Sequence, residues 1–157
     1  MNRSTRIFLG WLLLVAIAAS SGILAPPGEW YAALAKPPLT PPDWLFPMAW
    51  TLLYLMMAVA ATKVTLAVPQ GGRWSALAPF VLQLVANGVW SWLFFAAHWT
   101  LIGLLDLLLL WGLLVWTIVT FSRHSRFAAG LLVPYLIWVS FAAYLNAGVL
   151  ILNAPWD

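Results

Sequence analysis

Five stretches of this chain are apolar for about twenty residues each, and this feature limits its possible folds more than any other. They cover roughly 7–25, 44–67, 76–97, 100–121 and 127–151. An α-helix needs ~20 largely apolar residues to cross the hydrocarbon core of a membrane. Only 7% of the residues are charged, whereas a soluble domain has about 25%. The sequence therefore predicts an all-α integral membrane protein, a bundle of five transmembrane helices forming a single domain over 1–157.

The basic residues predict the orientation of this bundle, because loops on the cytoplasmic side are enriched in Lys and Arg. With five spans, Lys36 lies on one side and the other six basic residues lie opposite: Arg3, Arg6, Lys63, Arg73, Arg123 and Arg126. The N-terminus is then inside and the C-terminus outside. Cleavage of the first segment as a signal peptide is the alternative, and the charges alone do not exclude it. However, an apolar run of about 19 residues exceeds the ~7–15 residues of a signal core.

The segment between the first two spans, residues 26–43, is long and rich in proline. Its six prolines are Pro26, Pro27, Pro37, Pro38, Pro41 and Pro42. Proline fixes φ and lacks a backbone donor, so the segment is stiff and not helical throughout. Loops longer than about 12–15 residues in compact chains often act as lids or binding elements. We expect a lid, with a structural cap over the helix ends as the alternative.

Several classes of chemistry have no support in the sequence. There is no cysteine, and no nucleotide-binding, hydrolase or metalloprotease motif occurs. His98 and His124 fall at opposite predicted membrane ends, so they do not share a metal ion. We predict no metal site, no required cofactor, no nucleic-acid partner and no conventional catalytic site. Haem ligation by His98 is the less favoured alternative to an interfacial side chain.

Polar and aromatic residues share one face of the third span. Gln83, Asn87, Trp90 and Phe94 follow the spacing i, i+4, i+7 and i+11, which forms one stripe on an α-helix. Amides in hydrocarbon are costly without partners, so this stripe should face the bundle interior. Asn87 either joins helices through hydrogen bonds or also contacts a ligand.

The chain has twelve tryptophans, more than two interfacial belts require. Six lie near predicted interfaces, as belt residues would: Trp11, Trp30, Trp44, Trp74, Trp99 and Trp156. Five lie deeper in the spans: Trp50, Trp90, Trp111, Trp116 and Trp138. We expect some of these five to line an interior cavity, where their indole faces would favour a flat, apolar ligand.

Asp106 is the only acidic residue inside a predicted span. A charged side chain at mid-membrane costs ~2.5–3.5 kcal/mol on insertion scales, and such residues are functional candidates by default. The alternative is a protonated or hydrogen-bonded anchor to a neighbouring helix. The sequence leaves the role of Asp106 open.

A series of motifs from about residue 29 to 146 resembles the translocator protein family, also called the tryptophan-rich sensory protein or peripheral benzodiazepine receptor family. The resemblance is to a bacterial member of this family. The motifs are Trp30-Tyr31, Lys36-Pro37, Pro41-Pro42-x-Trp44-x-Phe46-Pro47-x-x-Trp50, Asn87-x-x-Trp90, Asp106-Leu107-Leu108-Leu109, Pro134-Tyr135-Leu136-x-Trp138 and Leu145-Asn146.

This resemblance implies a homodimer whose intra-bundle pocket is closed by the first loop. It implies binding of protoporphyrin IX, haem and related tetrapyrroles, and of hydrophobic drugs of the isoquinoline carboxamide and benzodiazepine kinds. It also implies a stress-sensing role and light- and oxygen-dependent porphyrin breakdown, in which Trp50 and Trp138 take part. The ligand-binding residues that it implies are Tyr31, Pro41, Trp50, Asn87, Trp90, Ser91, Trp138, Ala142 and Leu145.

The sequence leaves two further questions open. A transporter of porphyrin or other lipophilic small molecules is the alternative function, although five unrepeated spans lack the repeats of many transporters. Sterol recognition is less favoured, because no basic residue follows Tyr144 to complete the weak cholesterol motif. The native ligand and the choice between inner and outer bacterial membrane are not encoded in these patterns.

Overall fold

The computed structural model describes residues 1–153, and within them the fold is all-helical, without a β-strand. Five helical stretches are long and apolar enough to cross a membrane: Arg3–Leu24, Leu45–Ala67, Gln70–Ala96, Thr100–Ser122 and Arg126–Leu152. The predicted all-α bundle of five membrane-spanning helices is confirmed.

Seven α-helices make up these stretches and the lid. They are α1 (Arg3–Ala19), α2 (Ser21–Leu24), α3 (Glu29–Ala33), α4 (Leu45–Ala67), α5 (Arg73–Ser91), α6 (Thr100–Ser122) and α7 (Arg126–Leu152). A 3₁₀ turn, Gln70–Gly72, precedes α5, and a π-helical turn, Trp92–Ala96, follows it. The lid, residues 26–43, contains α3. The proline-rich segment is therefore helical only over Glu29–Ala33.

The first span begins four residues earlier than the hydropathy pattern predicts. Asn2 caps α1, because its Oδ1 accepts hydrogen bonds from the Thr5 backbone N–H and the Thr5 hydroxyl, both at 2.8 Å. Side-chain caps satisfy backbone donors that lack helical partners. Hydropathy does not detect a polar first turn of this kind.

The core lies where α4, α5, α6 and α7 meet. Its largest enclosed side chains include Tyr135, Phe80, Phe121 and Met57. Small residues on α4 are also fully buried, among them Ala58 and Ala60 to Ala61, and small residues let membrane helices approach closely.

Three tryptophans have surroundings that depth along a span does not predict. Trp11, predicted as a belt residue, donates from Nε1 to Thr65 Oγ1 at 2.8 Å and contacts the Phe80 ring edge-to-face, so it joins α1 to the bundle. Trp111 and Trp116, predicted among the deeper residues, are 41% and 52% exposed on the outer surface. Depth along a span does not determine which face of the helix a residue occupies. Trp156 lies outside the described residues.

Candidate functional site

The lid is fixed to the C-terminal half of α7 by hydrogen bonds. Asn153 accepts from the Ala35 N–H and donates to the Ala35 carbonyl, both at 2.9 Å. The Tyr144 hydroxyl donates to the Pro38 carbonyl at 2.8 Å. Tyr144, the tyrosine of the incomplete sterol motif, is thus a lid contact. These bonds hold residues 26–43 against the bundle end where α7 finishes.

Gly148 lies under the lid at a point of very close approach. A Cβ added at this position would lie 2.5 Å from both Cβ and Cγ of Pro37, a distance at which atoms overlap. Pro37 is itself buried. The docked lid therefore requires glycine at position 148.

One group of aromatic rings joins α4 to α7. The Trp50 and Trp138 ring centroids are 6.4 Å apart with the rings nearly perpendicular. Trp50 also stacks on Tyr54 at 5.2 Å and meets Tyr135 at 6.0 Å. Phe46 contacts Trp138 at 5.9 Å. Both tryptophans are half-buried, so each keeps an accessible part of its indole. The structure thus brings together the two residues implied in porphyrin breakdown.

A second group of rings connects α5 to the lid. Trp90 stacks on Phe94 at 5.1 Å and meets Phe95 at 5.4 Å. Tyr31 of α3 contacts both phenylalanines edge-to-face, at 6.0 Å and 5.3 Å. Burial, and secondarily the Asp43 carboxylate, raise the pKa of Tyr31, so its phenol stays neutral at physiological pH. The lid therefore closes on this group through an uncharged ring.

Phe95 shows why sequence periodicity missed part of this group. An ideal α-helix that places Phe94 on the inward stripe turns Phe95 about 100° away from it. The π-helical turn Trp92–Ala96 changes that register, and Phe95 then contacts Trp90 and Tyr31. Such turns occur often at functional sites. The residue types in this stretch do not predict one.

A buried polar network lies beside the Trp50 rings. The Tyr54 hydroxyl donates to Asn87 Oδ1 at 2.9 Å, and Asn87 Nδ2 donates to the Tyr135 hydroxyl at 3.0 Å. Tyr135 in turn donates to Gln83 Oε1 at 3.0 Å. Gln83 and Asn87 are 0% and 5% exposed, so the predicted inward stripe is present. Asn87 joins α4, α5 and α7, and this supports its helix-joining role.

Two buried polar atoms near these helices have no hydrogen-bond partner within residues 1–153. They are Nε2 of Gln83 and Oδ2 of Asp106. The anchoring hydrogen bond considered for Asp106 is thus not made by its Oδ2 atom.

The remaining predicted binding residues occupy the same region. Ser91 and Leu145 are buried, whereas Pro41 and Ala142 are half-buried. Ala142 and Leu145 follow Trp138 at i+4 and i+7, which extends one face of α7.

The predicted interior cavity stays a prediction. Cavities of about 320 and 670 Å³ occur elsewhere on the molecule, and none of the predicted site residues lines them. The candidate site contains half-buried rings on α4, α5 and α7, and the lid packs against it on one side.

Comparisons with known proteins agree with the sequence motifs. A profile of the TspO/MBR family matches residues 8–152. The chain is 43% identical over 151 residues to the tryptophan-rich protein TspO of Chlorobaculum tepidum, covering 92% of each chain. It is 37% identical over 151 residues to protein CrtK of Rhodobacter capsulatus, covering 96% of this chain and 94% of the relative. It is 35% identical over 144 residues to the translocator protein of Bos taurus, covering 88% and 85%.

The match spans all five membrane-length helices, the lid and both groups of aromatic rings. The predictions of the family and of an integral membrane protein in a bacterial membrane are therefore confirmed. The chain belongs to the TspO/MBR family.

Proposed function

We propose that this membrane protein binds porphyrins, with protoporphyrin IX or haem as the ligand, against the half-buried rings of Trp50, Trp90 and Trp138. The observation that carries the proposal is the contact between Trp50 and Trp138 from two different helices, with accessible indole surface on both. A planar, conjugated ligand gains from aromatic faces in a site with few polar groups. The tryptophan-rich name of the relative from Chlorobaculum tepidum accords with this aromatic site.

The ring geometry limits how such a ligand lies. Trp50 and Trp138 touch edge-to-face, so a porphyrin lies beside the pair rather than between the two rings. Asn87 accepts a hydrogen bond from Tyr54 and donates one to Tyr135, so it supports the site by joining three helices. The lid covers the ligand through Tyr31, and Pro41, Ser91, Ala142 and Leu145 complete the walls.

The same site supports a light- and oxygen-dependent breakdown of bound porphyrin and a role in stress sensing. The chemistry in that case comes from the excited pigment and oxygen, and the protein supplies binding, orientation and two adjacent indoles. Product formation should therefore require light.

Replacing either central tryptophan tests this proposal. In Trp50→Phe and Trp138→Phe we expect protoporphyrin IX to bind roughly two- to tenfold more weakly, because an aromatic contact contributes ~0.5–1.5 kcal/mol beyond its buried area. The photoproduct should fall in the same variants. Absorbance titration in detergent and product analysis after illumination measure both effects.

Trp116→Phe is the matched control, because Trp116 is 52% exposed and lies outside both groups of rings. It should bind and react like the wild type. Wild-type binding and product formation in both Trp50→Phe and Trp138→Phe would contradict the site assignment, and turnover in the dark would contradict the photochemical role.

Lys36 is the basic residue best placed to meet a propionate of the ligand. Its Nζ lies 4.7 Å from the centroid of the Tyr31 ring, at the lid side of the site. Lys36→Ala should weaken protoporphyrin IX binding by up to about fivefold, the range of an exposed ion pair. The dimethyl ester, which lacks the carboxylates, should bind both proteins equally. Equal affinity of both proteins for the free acid would remove this role.

We also infer a homodimer from the family resemblance. Sedimentation in detergent at several protein concentrations would show a species of twice the chain mass. A monomer at all concentrations would contradict the inference.

A further inference from the structure

A second site of different chemistry lies at the other end of the bundle, where α1 and α5 begin. An open cavity of about 670 Å³ is lined by Arg3, Arg6 and Ile7 of α1, by Gln70 of the 3₁₀ turn and by Arg73 at the start of α5. No acidic residue within residues 1–153 lines it. Three arginines thus line one concave surface.

Local structure positions the backbone of Arg3 and Arg6 and the side chain of Arg73. Arg3 and Arg6 are one helical turn apart, on the same face of a helix whose first turn is capped by Asn2. The Nε–H of Arg73 donates to the Val68 carbonyl at 3.0 Å, and this bond leaves its two terminal amino groups for another acceptor. Guanidinium groups bind phosphate oxygens in a bidentate manner.

The backbone adds to the positive potential of this cavity. Both α1 and α5 begin here, and helix N-termini carry partial positive charge and free N–H groups. The preferred ligand is therefore an anion with several acceptor oxygens.

The same two helices carry an apolar groove further along their length. It has a volume of about 320 Å³, and its lining runs from Leu14 on α1 to Leu24 on α2 and from Val81 on α5 to Trp92. On α1, Leu14 follows Ile7 by seven residues, so the cavity and the groove lie on one helical stripe about 10 Å apart. A cationic cavity followed by an apolar groove fits a phosphate headgroup followed by an acyl chain.

We propose that the α1–α5 seam binds an anionic glycerophospholipid, with its phosphate on Arg3, Arg6 and Arg73 and an acyl chain in the groove. A free phosphate shares the headgroup chemistry, but it makes no use of the groove. This site is separate from the aromatic site, because the two share no residue.

The test uses the full-length protein in detergent, with lipid binding measured by native mass spectrometry. The probes are dioleoyl-phosphatidylglycerol, dioleoyl-phosphatidylcholine and inorganic phosphate. We expect the wild type to retain phosphatidylglycerol in preference to phosphatidylcholine, and millimolar phosphate to leave this binding unchanged. Equal retention of the two lipids, or displacement by phosphate, would overturn the proposal.

Two triple variants are compared, and each removes three basic residues from the same end of the bundle. Arg3→Gln, Arg6→Gln and Arg73→Gln together should weaken phosphatidylglycerol binding by about a hundredfold, since each juxtamembrane basic residue contributes roughly fivefold (~1 kcal/mol). The control triple, Lys63→Gln, Arg123→Gln and Arg126→Gln, removes equal charge outside the cavity and should keep most of the binding. Equal losses in both triples would mean general attraction to anionic lipid, and would overturn a defined site.

A second variant tests the groove without changing charge. Val85 lines the groove and is 60% exposed, so Val85→Trp should fill it without disturbing the core. Dioleoyl-phosphatidylglycerol should then bind at least fivefold more weakly, whereas the short-chain dihexanoyl lipid should be unaffected. Unchanged binding of the long-chain lipid would overturn the assignment of the acyl chain.

Discussion

In Gly148→Ala, the lid amides should exchange with solvent hydrogen roughly tenfold faster or more than in the wild type. The added Cβ would lie 2.5 Å from two atoms of the rigid Pro37 ring, and overpacking of this kind costs typically ~1–3 kcal/mol. Three hydrogen bonds from Asn153 and Tyr144 hold the lid, each contributing a net ~0.5–1.5 kcal/mol. The strain is therefore comparable with the free energy of these hydrogen bonds. The lid is the part that yields, because Gly148 lies within the long helix α7, whereas the lid is held by a few contacts.

Hydrogen exchange of the Ala35 N–H, which Asn153 holds in the docked lid, is the most direct measurement. Gly130→Ala is the matched control on the same helix, because a Cβ there meets nothing within 4 Å. Asn153→Ala should speed exchange independently, by removing the hydrogen bonds without adding strain. Wild-type exchange in Gly148→Ala would show that the close approach does not hold the lid.

If the lid also retains the ligand, as proposed, Gly148→Ala should release protoporphyrin IX faster. Its dissociation rate should rise with the fraction of open lid, while Gly130→Ala behaves like the wild type. Faster lid exchange with unchanged dissociation would separate the lid from the ligand site.

In Asn87→Leu, the bundle should lose about 1–3 kcal/mol of stability, because the substitution leaves the Tyr54 hydroxyl without its acceptor inside the protein. Removing one partner of a buried hydrogen bond carries the desolvation cost of the other. Bonds within membranes are often weaker on average, ~0.6 kcal/mol, but Asn87 connects three helices through two bonds. Unfolding by sodium dodecyl sulfate, followed by tryptophan fluorescence, measures the change.

Two variants make this result specific. Adding Tyr54→Phe to Asn87→Leu should restore part of the stability, because it removes the unsatisfied hydroxyl. Ser140→Ala removes one interhelical bond at the exposed perimeter, from Trp111 Nε1 at 3.0 Å, and should cost less. No recovery in the double variant would mean that the loss comes from packing rather than from the network.

The sequence was sufficient for the membrane architecture because that architecture depends on local composition. Twenty apolar residues must form a helix in lipid, where every backbone polar group needs an internal partner. The inward stripe of Gln83 and Asn87 was predictable for a related reason, since amides avoid hydrocarbon. The family motifs then added Trp50 and Trp138 as a pair from separate helices.

Other features depended on contacts between segments that are distant in sequence. Trp111 and Trp138 both lie near the middle of their helices, yet Trp111 is 41% exposed and Trp138 meets Trp50, because the rotation of each helix is set by its neighbours. Phe95 joins the site only through a π-helical turn, and Gly148 is needed only because Pro37 lies over it. The same holds for Arg3, Arg6 and Arg73, whose charges predict a membrane side but whose convergence on one cavity follows from the packing of α1 beside α5. Sequence alone thus determined which segments enter the membrane, because burial in lipid is a property of each segment, whereas tertiary structure decided which side chains meet, because meeting requires two segments.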